Sequence, residues 1–583
     1  MTVLDLLNAV RRRSWRMHAR TKALLALDPT GVRGRRSARD HRSARESSRD
    51  VATDGGGNGA GTPREGGIDP NRAGDTRSSS FDVDDDYTLR RKLGLLVGPI
   101  GFGLVLVAPS PAELSTAGQT VGAVAVWMAV WWVTEAVPIP VTALLPIFMF
   151  PLTGAVSPTA ASAPYANRLV FLFLGGFLLA VAIERWGLHR RIALLTIALV
   201  GTSPRRIVLG FMVATAFLSM WISNTATAML MTPIGLAVVH QTAELVERSE
   251  LDVPTERGEF RFGTTLMLSI AYAASIGGVG TLIGSPPNII FAGFVASAYG
   301  QDVSFAQWMA YGVPVAVVGV TVCWLYLTRA VLRDDLAALP DDTDVIRKRR
   351  QALGPVTRPE ALVLIVFGAV AAGWLTRPVL LSPRVPMIDD AAIAMIGAVL
   401  LFVIPVRDEN GEFTFLLDWT TGVTLPWGVI LLFGGGLSLA GAVEESGLGE
   451  WIGTLLAVFE GLSLLWIVVG VALLAIFLTE MTSNTAMTAM LIPILGGLAV
   501  ALSVHPYVLM VAATTVASLA FMLPVATPPN AVVFGSGYLT VPQMARAGFL
   551  LNLVGVLLVV AFVLGWLPYA WGIDVTSSPV WID

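Results

Sequence analysis

Two short polar stretches stand where nearly everything around them is apolar: Ser223-Asn224-Thr225 and Ser483-Asn484-Thr485. Each is followed by a second interruption, Gly284-Ser285-Pro286-Pro287-Asn288 after the first and Ala526-Thr527-Pro528-Pro529-Asn530 after the second. Proline has no N–H and blocks helix continuation, so the carbonyls just upstream of each Pro-Pro pair lose their partners. Such carbonyls, beside Ser and Asn oxygens, suit a hard cation such as sodium. The same stretches offer Asn amide and Thr hydroxyl donors, and a helix starting there points its positive dipole end at them, which suits a carboxylate or sulfate. None of the four stretches contains Lys or Arg. An anion held there must have its charge offset by donors, dipoles and bound cations, so cation and anion binding are expected to be coupled.

The two sets are copies. Gly175/Gly435, Glu184/Glu444, Gly187/Gly447, Ser223/Ser483 and Pro233/Pro493 are each separated by 260 positions, and the Pro-Pro-Asn breaks by 242. The first copy carries a longer charged loop around Glu244 to Arg261. A single Ser-Asn-Thr could serve only as a cap or packing group, as such residues often do in membranes; two triplets and two breaks in the same order point to a site. Glu480, three residues before the second triplet, is an ionisable group at membrane depth and a candidate on that ground. Its plainer role is a buried carboxylate bonded to backbone amides that stiffens the turn. Glu135 closes Trp131-Trp132-Val133-Thr134-Glu135 at a helix end, where interfacial anchoring is expected. Gly278-Val279-Gly280 with Gly284 imitates a nucleotide fingerprint, but no strand precedes it.

The elements that must position these residues are transmembrane helices. At 583 residues, 54% hydrophobic and 14% charged, the chain has the composition of an all-α polytopic membrane protein. The net charge of -3 says little about partners, and nothing points to nucleic acid. One cysteine, Cys323, excludes an internal disulfide, and five scattered histidines argue against zinc. No nucleophile–base pair stands among the intramembrane residues, so an enzyme is not expected. Residues 1–88 differ in kind, Arg-rich and then Ser-, Asp- and Gly-rich, and read as a disordered cytoplasmic tail. Met1 to Leu27 could form a short basic helix on the membrane surface, and no secretory signal is evident.

Apolar spans, Val141 to Val156 among them, then run from about Leu93 to Leu567, divided into a first half, 89–345, and a second, 346–583. Basic clusters at Arg90-Arg91-Lys92, Arg185 with Arg190-Arg191, Arg205-Arg206, and Arg347 to Arg350 should face the cytoplasm, placing the N-terminus inside and the C-terminus outside. Ile207–Ile222 and Ala226–Val239 would each extend only about 21 to 24 Å, short of a ~30 Å hydrocarbon core. A re-entrant hairpin with Ser-Asn-Thr at its tip is therefore expected in each half, the two halves inverted in the membrane.

At these residues the chain resembles the divalent anion/sodium symporter family, carriers of dicarboxylates, citrate or sulfate. The resemblance covers roughly Leu93 to Trp566 and rests on both triplets, Gly280 to Asn288, Ala526 to Asn530, and Trp131 to Pro146. It implies about eleven transmembrane helices with two re-entrant hairpins, a homodimer and an elevator-like movement. Carried over residue by residue, one sodium site would involve Ser219, Ser223, Asn224 and Gly284, and the other Thr479, Thr482, Asn484 and Ala526. The substrate would meet Asn224, Thr225, Ser285, Pro286, Ser483, Asn484, Thr485, Thr527 and Pro528. The expectation is a plasma-membrane carrier importing a small dianion, C4-dicarboxylates foremost, with sodium as coupling ion and no other cofactor. A sodium-independent exchanger, a sodium/sulfate symporter and an anion channel are the alternatives.

Overall fold

Prolines, glycines and cap residues decide where each helix of this chain stops. The computed structural model describes residues 88–582 except 112–113, 202, 249–252, 333–343, 409–410 and 457–460. The expected tail, apart from Thr88, and its basic helix Met1–Leu27 lie outside the described residues. Among the described residues, nine helices are long and apolar enough to cross a membrane, and four shorter apolar ones accompany them. An all-α polytopic membrane fold is the result, because a helix pairs its own backbone groups where no water can. A small antiparallel strand pair, Pro405–Arg407 with Phe413–Phe415, was not foreseen in the sequence. It is fastened by Trp186 Nε1, which donates to the Leu416 carbonyl at 2.7 Å, and by the Arg185–Asp418 ion pair at 2.5 Å. Burial would raise the Asp418 carboxyl, but hydrogen bonds from Thr420 and Thr421 and the charge of Arg185 hold it at about 2.

The 260-residue register returns as local geometry. Gly187 and Gly447 both occupy the left-handed region, at φ 70° and 73°, and turn the chain into the helices Leu188–Val200 and Leu448–Leu456. Gly175 and Gly435 both permit a close backbone approach. A Cβ on the first would sit 2.6 Å from the Ala394 Cβ, and on the second 2.2 Å from the Ala143 carbonyl oxygen. Ser223 and Ser483 both cap the helix that follows, and Pro233 and Pro493 lie inside those helices, Asn224–Glu247 and Asn484–Ala501.

Two local expectations change, and a third gains detail. Val141–Val156 is not one helix but two pieces, Ile139–Thr142 and Leu145–Thr153, because Pro146 has no N–H to donate back to Thr142. The helix Asn224–Glu247 has 24 residues, about 36 Å, and exceeds the expected arm because it continues past Val239 through Gln241, Glu244 and Glu247. Its length alone does not force a turn inside a bilayer. Glu135 is a left-handed C-cap at φ 50°, and Arg91 pairs with its carboxylate at 3.3 Å.

Packing brings the helix Pro204–Ser219 onto Arg261–Gly278 and Leu188–Val200, and Arg168–Arg185 onto Asp390–Val403. The first contact is close: a Cβ at Gly277 would fall 2.3 Å from the Ala216 carbonyl oxygen. Leu188–Val200 is in turn clamped by Arg191. Its guanidinium meets both Glu360 oxygens at 3.2 and 3.0 Å and the carbonyls of Leu353, Gly354 and Pro355 at 3.2, 3.0 and 3.1 Å. Glu360 also completes a capping box with Thr357. Removing one partner of a buried ion pair strands the other, so Arg191→Ala should cost about 3–5 kcal/mol. Arg248→Ala, at an exposed i,i+4 pair, should stay within about 0.5 kcal/mol. Thermal unfolding of the purified variants checks both; equal transitions would contradict the assignment.

Candidate functional site: two matched polar breaks

In the first half the helix Pro204–Ser219 ends, the turn Met220–Ser223 intervenes, and Asn224 opens the next helix. Ser219 Oγ lies 2.6 Å from the Asn224 carboxamide and 2.7 Å from the Ala274 carbonyl oxygen. With its Nδ2 turned inward, Asn224 donates toward Ala274 O at 3.2 Å, Gly284 O at 3.1 Å and Ser219 Oγ at 2.6 Å. Turned the other way, its Oδ1 accepts the Ser219 hydroxyl at 2.6 Å and lies among the same three oxygens. Glycine is required here by space: a Cβ at Gly278 would lie 2.6 Å from Asn224 Oδ1, and one at Gly284 2.6 Å from the Gly278 carbonyl oxygen. The broken helix Arg261–Gly278/Pro286–Tyr299 supplies these glycines. Asn288 Nδ2 spans the break, donating to Gly278 O at 2.9 Å and Thr281 O at 2.7 Å, and Thr281 Oγ1 donates to Met220 O at 2.5 Å.

The second half repeats the arrangement. Thr479 Oγ1 lies 2.6 Å from Asn484 Oδ1 and 3.2 Å from the Ala517 carbonyl oxygen. Asn530 Nδ2 donates to Ala520 O at 3.2 Å and Leu523 O at 3.0 Å. A charge separates the halves. Where the first has Met220, the second has Glu480, 3% exposed. Its carboxylate accepts the backbone N–H groups of Phe521, Met522 and Leu523 at 2.8, 2.9 and 3.1 Å and the Asn552 amide at 2.7 Å. In a peptide unit the N–H and C=O point oppositely, so this grip turns the Ala520 carbonyl toward Asn530 and the Phe521 carbonyl toward the Tyr272 hydroxyl, 2.9 Å away. The geometry is that of the stiffening carboxylate. In the first half the corresponding N–H groups of Val279 and Gly280 find local carbonyls, Ile276 O and Gly277 O.

The two breaks meet. Ser285 Oγ, at the start of the first half's second segment, lies 2.9 Å from Ser518 Oγ at the end of the second half's helix Pro506–Ala517. Of the residues singled out in the sequence, Ser219, Asn224 and Gly284 come together directly, as do Thr479 and Asn484. Ser223 and Ser483 accept from the amides of Ala226 and Ala486 at 3.2 and 3.5 Å. Thr482 Oγ1 donates back to Leu478 O at 2.8 Å, and Thr527 Oγ1 accepts from the Asn530 amide at 3.4 Å. Asn224, Thr225, Pro286, Ser483, Asn484 and Thr485 are half-buried, Ser223 and Pro528 are exposed, and Gly284, Ser285, Ala526 and Thr527 are buried. The triplets thus border accessible space, while Gly284, Ser285, Ala526 and Thr527 behind them are closed. Asn288, Asn530, Ser518 and Asn552 were missed. The two Asn residues had a signal, since they repeat with the Pro-Pro pairs; Ser518 and Asn552 had none.

The first tip also leans on its flank. Trp221 stacks on Phe305 (6.1 Å, 18°), Phe305 stacks on Trp374 (4.2 Å, 16°), and Phe367 meets Trp221 edge-on (5.0 Å, 89°). Asp390 accepts the Phe305 amide at 2.8 Å and pairs with Arg377 at 2.6 Å.

A helical membrane bundle in which two broken helices meet, each beside a turn rich in neutral oxygens and amide donors, is built as a carrier of ions and small solutes. The family described as "Sodium:sulfate symporter transmembrane region" matches residues 91–571. The chain belongs to that family, the divalent anion/sodium symporters its motifs resemble. It is 46% identical over 493 residues to the sodium-dependent dicarboxylate transporter SdcS of Staphylococcus saprophyticus, covering 84% of this chain and 94% of the relative. Against SdcS of Staphylococcus aureus (strain bovine RF122) the identity is 44% with the same coverage. Among solved structures, the fold is similar to the Alcanivorax borkumensis YdaH transporter (TM-score 0.53, 14% identity, 83% of this chain and 99% of that one). It is also similar to Neisseria gonorrhoeae MtrF (TM-score 0.51, 12% identity, 85% and 98%).

The glycine at 278 gives a direct check. Gly278→Ala pushes a methyl group into Asn224, and overpacking of that kind costs about 1–3 kcal/mol of stability, so uptake should fall as Asn224 is displaced. Gly441→Ala, where a Cβ meets nothing within 4 Å, should leave uptake unchanged. Uptake by the two variants at equal protein levels decides it.

Proposed function

We propose that this chain is a secondary active transporter that imports a small divalent anion, a C4-dicarboxylate such as succinate, malate or fumarate, together with sodium. The observation that carries this reading is the pair of matched oxygen clusters, Ser219/Asn224/Ala274/Gly284 and Thr479/Asn484/Ala517, linked through Ser285 and Ser518. They supply neutral oxygens for cations, with Ser223, Thr482 and Ala526 in support. Asn224, Thr225, Ser285, Pro286, Ser483, Asn484, Thr485, Thr527 and Pro528 supply the donors and walls for the anion. The printed names of the curated relatives, sodium-dependent dicarboxylate transporters, favour dicarboxylate over the sulfate in the family's description.

Sodium binds first. It draws the Asn224 amide oxygen inward, leaving the amide nitrogen and the hydroxyls free to face the anion, and its charge lowers the cost of desolvating a dianion beside uncharged groups. Each ion can shift the carrier's equilibrium only by its differential affinity for the two states. The triplets sit at the tips of re-entrant hairpins in inverted halves, and the loaded unit crosses the barrier by an elevator-like movement in a homodimer. The Lys and Arg clusters favour a cytoplasmic N-terminus and a C-terminus outside.

Uptake of labelled succinate into proteoliposomes tests the proposal, with an inward sodium gradient, with potassium in its place, and with unlabelled sulfate or citrate as competitors. Sodium-dependent uptake indifferent to sulfate is the expected result. Uptake independent of sodium that appears only with internal dicarboxylate would make the protein an exchanger, and saturation behaviour separates a carrier from a channel. Asn224→Ala and Asn484→Ala should each weaken sodium and substrate together, by about tenfold or more; a variant losing substrate affinity with sodium affinity intact would contradict the coupling.

A further inference from the structure

Asn288 and Asn530 close the two breaks in the same way, and each keeps one atom unused. Both are fully buried. Each Nδ2 donates to two carbonyls, Gly278 and Thr281 in the first half, Ala520 and Leu523 in the second. Only an N–H can donate to a carbonyl, so these bonds fix which way each amide faces. The opposite atom, Oδ1, is then buried without a hydrogen-bond partner in both residues. Buried acceptors without donors are rare and call for a reason. Here the same exception occurs at matched positions of two copies.

The surroundings leave the oxygen little but a cation. Around Asn288, Thr281 Oγ1 donates to Met220 O, the Gly284 amide donates to Thr281 Oγ1, and the Ser285 and Ser518 hydroxyls share one hydrogen bond. Around Asn530 the amides of Phe521, Met522 and Leu523 are held by Glu480. The carbonyls that the two side chains hold belong to the loops forming the oxygen clusters. A Cβ at Gly284 would touch the Gly278 carbonyl oxygen at 2.6 Å, and the Gly284 carbonyl faces Asn224 at 3.1 Å. An Asp in place of Asn would repel the two carbonyls, and a Leu would release them.

We propose that Asn288 and Asn530 are positioning residues of the two cation sites: each amide nitrogen sets the carbonyl directions of its break, and each unpartnered amide oxygen adds to the field that holds sodium. This rests on the sodium-coupled reading above. It extends that reading to two residues behind the triplets, and it makes the Asn of each Pro-Pro-Asn part of the ion machinery rather than a helix-capping remnant.

The test uses the full-length protein in proteoliposomes, with labelled succinate uptake followed against sodium concentration. Asn288→Ala and Asn530→Ala should each raise half-saturating sodium at least about fivefold, while the succinate KM at saturating sodium stays within about twofold. Thermal stabilisation of the purified protein by sodium, without succinate, should shrink in parallel. Half-saturating sodium unchanged, with only maximal rate or folded yield reduced, would make these residues structural staples and overturn the proposal. Should the alanine variants fail to fold, Asn288→Ser and Asn530→Ser, which keep an uncharged donor at each break, serve instead. Half-saturating sodium should then rise at least about threefold, and no movement overturns the proposal. A wild-type protein indifferent to sodium would sink the functional reading and this inference together, whereas sodium-dependent wild type with unaffected variants would sink this inference alone.

Discussion

Backbone that leaves a helix in a water-poor interior must find a partner for every carbonyl and amide it exposes. That constraint governs this structure at two places, and the chain meets it differently in each. In the first break, glycines at 277, 278, 280 and 284 let the loop fold onto itself and onto Ser219 and Asn224 at distances no Cβ would permit. In the second, Ala520 and Ala526 stand where the first has Gly278 and Gly284, and one carboxylate, Glu480, gathers three consecutive amides. The amides are thereby spent on the protein, and the carbonyls on the opposite face are aimed by Asn530 and Tyr272. What remains is a cluster of oxygens in each half, Ser219, Asn224 and Ala274 in one and Thr479, Asn484 and Ala517 in the other.

The absence of Lys and Arg from the four motif stretches follows the same logic. A fixed positive charge would hold a dianion without help and would have to be carried, with its desolvation cost, in every state of the cycle. Neutral donors hold the anion poorly until cations arrive. Binding energy is thus made conditional, and conditional binding is what ties one gradient to another solute. The Asn224 carboxamide suits the purpose because its two ends differ in role but hardly in shape. Turned one way it donates to Ser219, Ala274 and Gly284, and turned the other it offers an oxygen to the Ser219 hydroxyl.

Much of this was legible in the sequence because it was written twice. Single motifs of Ser, Asn and Pro are weak signals, but the 260-residue register tied Gly175, Gly187, Ser223 and Pro233 to their partners. The members of each pair do the same thing in the fold, whether close approach, left-handed turn, helix cap or proline within the second helix. Helix class and motif positions followed from composition and proline chemistry. The split at Ala143–Leu144 and the length of Asn224–Glu247 did not, because apolar runs mark where a chain is greasy rather than where its hydrogen bonds end. Long-range side-chain contacts were not legible either. Ser518 and Asn552 occur once, without a motif, and acquire meaning only when folding sets them against Ser285 and Glu480. Asn288 and Asn530 lay in plain view, yet their significance rests on an unpartnered oxygen that no spacing rule reveals.

The central claim is that anion and cation occupy one thermodynamic unit, and calorimetric titration of succinate into the purified protein, with sodium and then with potassium as the only cation, tests it most directly. The account predicts succinate binding that tightens steeply with sodium and vanishes in potassium, with succinate raising sodium affinity by the same factor, as linkage demands. Succinate affinity equal in the two salts would contradict it.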